Sequence, residues 1–447
     1  MVRGARFAPA FALTLALAAA TASAAPAPDK DLAALFKSGD YPAIVQHFQS
    51  LPADATPSKD TLRLSFLSYI KLGRGDEALK LYPRLKAANQ PDDPALLRPL
   101  ALSLITGRVR DPKEHVRIAA YTALAELGLP ETGSVLEDGL LDASVLVRAR
   151  AAEAIGRAGL AAKSGALRRV INDEAPGVRI AAINALGDAK VTDVKPRLIE
   201  IGRTEEGPEA IFAYAALYKM GQSDMIVDIT NAATLPDAEV RMAALGVLGR
   251  LKRPASLAVL SQAVYDPNPS VRAFAAGALG EFGSPDGLAP LTHAIGDEMA
   301  MVRGVAAGSL GKLGLKDSRP LLQALTRDPS LQVRAAASEG LLKLGDTSAL
   351  LLAADLARNP DPSIRAAAAQ TLSATADTQS ISVLQALLQD QQPLPRLMAA
   401  KALGRVSGPV IPLLLKGVQD SDEAVRIAAA ASLLQQTGHP ARPARKS

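Results

Sequence analysis

The stretch "DPNPSVRAFAAGALGEFG" (residues 266–283) decides the fold of this chain, because variants of it return at a fixed interval. Its arginine, Arg272, has counterparts that are spaced 31 or 62 residues apart, with one last step of 30. We call these places register positions, and Ala210 fills the one that the 62-residue gap hides. The eleven register positions are 117, 148, 179, 210, 241, 272, 303, 334, 365, 396 and 426. Such a period indicates a protein built of repeated structural units.

The residues around each register position predict an amphipathic helix. Alanine stands three residues after the register in all eleven units, and leucine or isoleucine stands seven residues after it. Valine or isoleucine precedes the register in nine units, and positions spaced by four share one face of a helix. A second apolar segment follows, so each unit is predicted to be a helical hairpin that buries its apolar face against its neighbours. At roughly 10 Å per hairpin, we expect an array on the order of 100 Å long.

The repeat resembles HEAT-type repeats, in the short form found in phycobilisome chromophore lyases and in many bacterial repeat proteins. The resemblance covers residues 107–437. It implies an all-α fold, an α-solenoid in which about eleven 31-residue hairpins form a right-handed superhelix. It also implies that the helices with the register positions line the concave side.

Residues 31–106 have a different pattern. The segments "LAALFKSGDYPAIVQHFQSL" (32–51) and "LRLSFLSYIKLGRGDEALKLYPRLKAA" (62–88) resemble tetratricopeptide-type helical hairpins. Such units commonly serve as docking platforms for peptides or proteins. The alternative interpretation is a helical cap that covers the end of the longer array.

The N-terminal stretch "MVRGARFAPAFALTLALAAATASAAPAP" is typical of a secretory signal peptide. Arg3 and Arg6 form a positive end, an apolar run follows, and small residues precede a cleavage position near Ala24. We therefore expect a signal peptide over residues 1–24, a linker over 25–30, and a periplasmic or secreted mature protein. No later segment is apolar enough to predict a membrane span.

The charges of the chain argue against a nucleic-acid partner. Of its 50 basic residues, five lie in the signal peptide or in the basic disordered tail predicted for 438–447, and the other 45 balance 45 acidic residues. Residues 25–437 therefore carry no net charge, whereas nucleic-acid binding depends largely on an excess of cations. The last 165 residues also contain no aromatic side chain on which a base could stack.

Aspartate stands six residues before the register in eight of the eleven units. It could cap the helix that follows, or it could bind the arginine of an adjacent unit and form a ladder along the stack. Either role is structural, since repetition of the same pair is the mark of a scaffold. The ladder residues are Asp111, Arg117, Asp142, Arg148, Asp173, Arg179, Asp266, Arg272, Asp297, Arg303, Asp328, Arg334, Asp390, Arg396, Asp420 and Arg426.

No catalytic or metal-binding motif stands out. The chain has no cysteine, and its histidines are far apart, at His47, His115, His293 and His439. Deoxyhypusine hydroxylases resemble this fold but carry repeated His-Glu pairs for iron, whereas this chain has only Glu114-His115 in the reverse order. Ser68 and Lys71 match the SxxK pattern of penicillin-binding enzymes without the companion motifs. We therefore expect no enzyme activity, no metal and no cofactor.

A partner-binding groove is predicted where three consecutive units carry an uncharged residue one position after the register and glycine five and eight positions after it. These positions are expected to point away from the core, and glycine inside a helix costs about 1 kcal/mol relative to alanine. The alternative for the eight-after glycines is close helix packing, because Gly156, Gly187 and Gly404 recur outside these units. The groove residues are Met242, Gly246, Gly249, Ala273, Gly277, Gly280, Gly304, Gly308 and Gly311.

The segment "EAIFAYAALYKMG" (209–221) departs from the repeat just before the groove. Its register residue is Ala210, and Thr204 and Leu235 replace ladder aspartates, so we interpret 204–241 as an interruption of the ladder. Whether the interruption is functional or plain repacking stays open at this point.

Three aromatic residues lie within the same segment. Phe212 and Tyr214 are expected to project sideways, where they would replace the lost polar contacts with apolar bulk. Tyr218 occupies an eight-after position, and we predict that it stands at one end of the groove and binds the partner.

These observations favour a non-enzymatic scaffold of the bacterial cell envelope that binds one or more proteins or peptides on its concave face. The alternative is a lyase-like or chaperone-like helper that acts on a client protein or on its cofactor. We expect the chain to be a monomer.

Overall fold

The computed structural model describes residues 29–86, 90–375 and 378–438, and within these ranges every regular element is helical. The predicted signal peptide lies outside the described residues, as do residues 25–28 of the predicted linker and 439–447 of the predicted tail. The chain divides by contacts into two units, Met1–Leu72 and Gly73–Ser447.

The first unit contains three described helices, α1 (Asp29–Ser38), α2 (Tyr41–Ser50) and α3 (Lys59–Lys71). They pack around Leu32, Ile44 and Phe66, which are fully buried. Gly39 has a φ of +84° in the turn between α1 and α2, a conformation that glycine adopts without strain. The tetratricopeptide resemblance of this region stays a prediction.

The second unit begins with α4 (Gly75–Leu85) and α5 (Pro94–Thr106). The boundary at Leu72 therefore divides the segment 31–106 that the sequence analysis treats as one piece.

Each register position lies in a helix that we call a register helix. These are α6 (Glu114–Leu127), α8 (Val145–Arg157), α10 (Pro176–Asp188), α12 (Pro208–Lys219), α14 (Ala238–Leu251), α16 (Pro269–Phe282), α18 (Ala300–Leu313), α20 (Leu331–Lys343), α22 (Pro362–Leu372), α24 (Pro393–Leu403) and α26 (Glu423–Gly438). The alanine three residues after the register is 0% exposed in all of them, which confirms the predicted buried face.

A shorter second helix follows each register helix up to α24. These are α7 (Gly133–Gly139), α9 (Gly165–Val170), α11 (Lys195–Thr204), α13 (Met225–Ala232), α15 (Ser256–Gln262), α17 (Leu288–Ala294), α19 (Ser318–Leu325), α21 (Ala349–Leu356), α23 (Gln379–Leu387) and α25 (Ile411–Gly417). The hairpin units of the sequence analysis are thus present, and the fold is an all-α repeat solenoid.

The row of register helices closes on itself. Each register helix packs against the next, and the last one, α26, packs against α24, α6 and α5. Helix α26 therefore has a register neighbour on both sides. The right-handed sense of the path stays a prediction.

The register helices form the inner layer of this closed row. They pack extensively against one another, whereas successive second helices do not, so the layer of second helices is more widely spaced. The ion pair between Lys401 Nζ in α24 and Glu126 Oε1 in α6, at 2.8 Å, spans the position of α26 on the same side. A contact that passes over one helix requires that face to be concave.

Candidate interaction groove

An open groove crosses the inner face of five register helices. It consists of two cavities of about 650 and 640 Å³ that share Gly277, Met301 and Val305. The first cavity is lined by α14, α16 and α18, and the second continues over α18 and α20 to Gln370 of α22.

Large apolar side chains are exposed in the groove. Phe274 is 47% exposed, Met301 49% and Val305 36%. The Phe274 ring lies against Gly246, where an added Cβ would be 3.0 Å from the ring atom Cε1. The absence of a side chain at Gly246 thus lets the ring pack close to the backbone of α14. These three side chains do not belong to a buried core, so a partner could contact their exposed surfaces.

The structure brings together six of the nine predicted groove residues. Those one or five positions after the register line the cavities. Five of them are partly exposed, which agrees with the predicted outward direction, whereas Ala273 is buried. The six residues are Met242, Gly246, Ala273, Gly277, Gly304 and Gly308.

The outward direction predicted for the eight-after glycines is wrong. Gly249, Gly280 and Gly311 are buried, and each faces the residue six after the register of the next helix. A Cβ on Gly280 would lie 2.5 Å from Ser309 Oγ, and one on Gly311 would lie 2.5 Å from the Cα of Gly340. The alternative interpretation is correct for these three, since they allow neighbouring register helices to approach closely.

Tyr218 lies outside the groove. It lines neither cavity, and its hydroxyl accepts a hydrogen bond from Arg253, whose guanidinium lies 5.7 Å from the centre of the Tyr218 ring. The side chain is therefore engaged between two neighbouring units. The sequence analysis also missed Phe274, Met301 and Val305, whose exposure on a concave face could have been predicted from the two-after and two-before positions.

The aromatic residues at 212 and 214 do project sideways as expected. The Tyr214 hydroxyl donates to the carbonyl of Gly202 in α11, and Arg250 lies 5.9 Å from the centre of the Phe212 ring. Both contacts join α12 to its neighbours.

The ladder is present as bidentate ion pairs between adjacent units. In seven pairs the arginine Nε donates to aspartate Oδ2 at 2.6–2.8 Å, and Nη2 donates to Oδ1 at 2.8–3.0 Å. The remaining Nη1 donates to carbonyls five and six residues earlier in the arginine's own unit. The pairs are Arg117–Asp142, Arg148–Asp173, Arg241–Asp266, Arg272–Asp297, Arg303–Asp328, Arg365–Asp390 and Arg396–Asp420.

The aspartates are not the helix N-caps. Asp142 lies two residues before the N-cap Ser144, and its Oδ1 accepts the backbone N–H of that residue at 2.8 Å. The same arrangement recurs at Asp297 and Met299. Of the two roles left open by the sequence, the ladder is therefore the correct one, and each arginine joins its own loop to the next unit.

The interruption predicted over 204–241 is smaller than expected. Arg179 has no aspartate at position 204, but Glu209 takes its place and pairs with Arg179 Nε at 2.7 Å. Glu209 stands where most units have valine, and its side chain is 5% exposed. Within 204–241, the only ladder ion pair that is absent is the one that would join positions 210 and 235, which are Ala210 and Leu235. Arg334 also makes no ion pair among the described residues, since Asn359 stands in the aspartate position.

The last arginine completes the ladder across the closed row. Arg426 pairs with Asp76 of α4 and with Glu423, and Arg108 pairs with the same two carboxylates at 2.8 and 3.0 Å. Burial alone would lower the pKa of Arg108, but its bonds to Glu423 and Asp76 hold that pKa above the ordinary value. Asp111, at the other end of the predicted ladder, accepts the N–H of Lys113 instead.

The ion pairs shift the pKa values of the ladder carboxyls. The hydrogen bond from Arg272 lowers the pKa of Asp297, and the bonds from Arg303 and Arg365 lower the pKa values of Asp328 and Asp390. For Asp142, Asp173 and Asp420, burial opposes the shift, but the arginine bonds prevail and the pKa is again lowered. These shifts arise from repeated structural contacts, so they do not mark a reaction centre.

Comparison with known proteins agrees with this architecture. The family model described as HEAT repeats matches residues 140–217, 260–337, 318–394 and 383–444, which together are more than half of the chain. The chain belongs to the HEAT-repeat family. No curated protein matches its sequence.

Several solved structures are similar to this chain at low sequence identity. Human deoxyhypusine hydroxylase in complex with glycerol is 20% identical, with a TM-score of 0.31 over 55% of this chain and 96% of that chain. The complex of CpcE and CpcF of phycocyanin lyase from Nostoc sp. PCC7120 is 18% identical, with a TM-score of 0.38 over 54% and 94%. Kap121p bound to Nup53p is 14% identical, with a TM-score of 0.35 over 91% and 53%.

In the described part of the chain, no group of three or more His, Asp or Glu side chains is placed so that it could hold a metal ion. Among the same residues, no helix is long and apolar enough to cross a membrane. Ser68 of the SxxK pattern is fully buried in α3. The groove is accordingly the site on which the functional argument rests.

Proposed function

We propose that this HEAT-repeat protein is a non-enzymatic scaffold that binds one or more proteins on the inner face of its second unit. The observation that carries the proposal is the exposed apolar groove formed by Phe274, Met301 and Val305 over a glycine floor. Contiguous apolar surface of this kind on a folded protein is typical of a protein-binding site. The sparse charge of the groove centre also favours a protein partner over a nucleic acid.

The proposal places the protein in the periplasm or outside the cell as a monomer. It rests there on the N-terminal pattern of Arg3, Arg6 and the small residues before Ala24, which is typical of export. A lyase-like or chaperone-like helper is the alternative. The two roles differ in stoichiometry, because a scaffold stays bound to its partner whereas a helper acts in substoichiometric amounts and releases its client.

The test is in-cell crosslinking of the tagged protein and of two glutamate variants. Gly277→Glu places a charge in the groove, and the nearest atom to an added Cβ is Val305 Cγ1 at 3.5 Å, so the helix accommodates it. Leu351→Glu is the matched control, because Leu351 lies on second helix α21 and is 81% exposed.

We expect the wild type and Leu351→Glu to capture the same proteins in stoichiometric amounts, and Gly277→Glu to lose at least one of them. Unchanged capture by a normally folded Gly277→Glu variant would contradict the proposal. Capture only in substoichiometric amounts favours the helper.

A further inference from the structure

The groove crosses the register helices instead of following one of them. Its two cavities extend from α14 over α16, α18 and α20 to Gln370 of α22. Neighbouring packed helices lie about 8–10 Å apart. A straight ligand in the groove therefore meets a new register helix at each such interval.

One edge of the groove carries charged side chains. Those of α14, α16 and α18 alternate in sign, whereas Lys343 stands at the same position in α20 and pairs with Glu339. Arg250, Glu281 and Lys312 occupy the position nine after the register in three consecutive register helices, line the cavities and are exposed. None of the three has an ion-pair partner within the described ranges. On the opposite edge, Ser270 and Met301 are uncharged. The charge pattern is thus one-sided and follows the direction of the groove.

The shape of the groove favours a helical ligand. An extended strand binds best by pairing with a free strand edge, and the described part of this chain contains no strand. A helical ligand instead needs an apolar surface in a groove that is deep enough to hold it. The exposed side chains provide the surface, and the glycines of the groove floor provide the depth. A closed row of eleven helices also leaves on the order of 20 Å across its inside, which admits a helix of about 10–12 Å.

We propose that the groove binds an amphipathic helix of a partner protein, lying across α14, α16 and α18. Its apolar stripe covers Phe274, Met301 and Val305. Along one flank it presents an acidic, a basic and an acidic side chain opposite Arg250, Glu281 and Lys312. At 1.5 Å per residue, the spacing of the register helices corresponds to about five to seven residues of the ligand. This inference rests on the proposed function and adds the chemistry of the partner.

The test uses two fluorescent synthetic helices of equal length and composition with the same apolar stripe. The first carries Glu, Lys and Glu at seven-residue intervals on one flank, and the second carries Lys, Glu and Lys there, with compensating charges on the far side. Their binding is measured by fluorescence anisotropy at low salt. The proteins are the wild type, Gly277→Glu, and the charge-swapped variant Arg250→Glu/Glu281→Lys/Lys312→Glu, each checked for its helical circular dichroism.

We expect the wild type to bind the first peptide about tenfold more tightly than the second, because like charges oppose the second. The charge-swapped variant reverses this order, and Gly277→Glu weakens both peptides. Equal binding of the two peptides, an order that the charge swap leaves unchanged, or binding of neither would overturn the inference. Loss of cellular capture by Gly277→Glu would still support the proposed scaffold, so the two failures are distinguishable.

Discussion

Glycine occupies two positions of the register helices that have different surroundings. In α18, an added Cβ on Gly308 meets nothing within 4 Å, whereas one on Gly311 would lie 2.5 Å from the Cα of Gly340 in the next helix. The first glycine leaves open space in the groove, and the second lets two backbones approach. The same residue type in one helix thus keeps the groove open at one position and allows close packing at the other.

This difference predicts opposite effects of two alanine substitutions. Gly308→Ala should raise stability by up to about 1 kcal/mol, since alanine favours helix and meets no obstacle. Gly311→Ala should lower the stability by about 1–2 kcal/mol, because the cost of separating the packed helices exceeds the gain from the higher helix propensity of alanine. Urea denaturation followed by circular dichroism measures both. Equal effects of the two substitutions would mean that the close approach at Gly311 contributes nothing.

The ladder predicts a stability that depends on pH. The pKa of Asp297 is lowered in the folded state by Arg272, so its contribution is complete above the ordinary carboxyl value of about 4 and is lost as the pH falls below it. Asp297→Asn should therefore cost about 1–3 kcal/mol at neutral pH, and the gap to the wild type should narrow below pH ~4.

Thermal melts across this pH range measure the gap. Glu298→Gln is the control, because Glu298 also faces Arg272 but lies 3.6 Å away with 83% of its side chain exposed. It should change stability by less than about 0.5 kcal/mol. A gap for Asp297→Asn that is the same at every pH would contradict the role assigned to this pair.

At the scale of elements, the sequence was enough to predict that the register helices exist and which face of each is buried. The alanine position is the same in all eleven units, the seven-after position is leucine in all but one, and every register helix formed around them. Helix α12 shows the limit of this approach. Glu209 breaks the pattern where valine is usual, and only the structure reveals that its carboxylate reaches Arg179 across the unit boundary.

The candidate site could be predicted only in part for a related reason. Helical spacing places the five-after residues on the exposed face correctly, since that face depends on the helix alone. Whether the eight-after residues are exposed depends on how far the next helix is rotated and how closely it lies. That quantity comes from packing between units, so Gly249, Gly280 and Gly311 were placed in the groove wrongly.

At the scale of the whole second unit, closure could not be predicted from the repeat. Each hairpin is rotated slightly relative to the previous one, and the sum of these small steps decides whether a row stays open or closes. The residues that complete the closure also lie outside the repeat pattern. Helix α5 packs against α26, and Asp76 takes the place of a ladder aspartate for Arg426 without belonging to a register unit.

Closure of the row is the claim on which the concave groove depends, and a pair of introduced cysteines tests it directly. The chain has no cysteine, so Glu126→Cys/Lys401→Cys provides the only two thiols, at positions whose side chains lie 2.8 Å apart although 275 residues separate them. Glu339→Cys/Gln370→Cys is the positive control, across neighbouring helices α20 and α22. With a short bismaleimide, we predict an intramolecular crosslink in the monomer for both pairs, identified by mass spectrometry of the linked peptides. A crosslink for 339/370 but none for 126/401 would contradict the closed row.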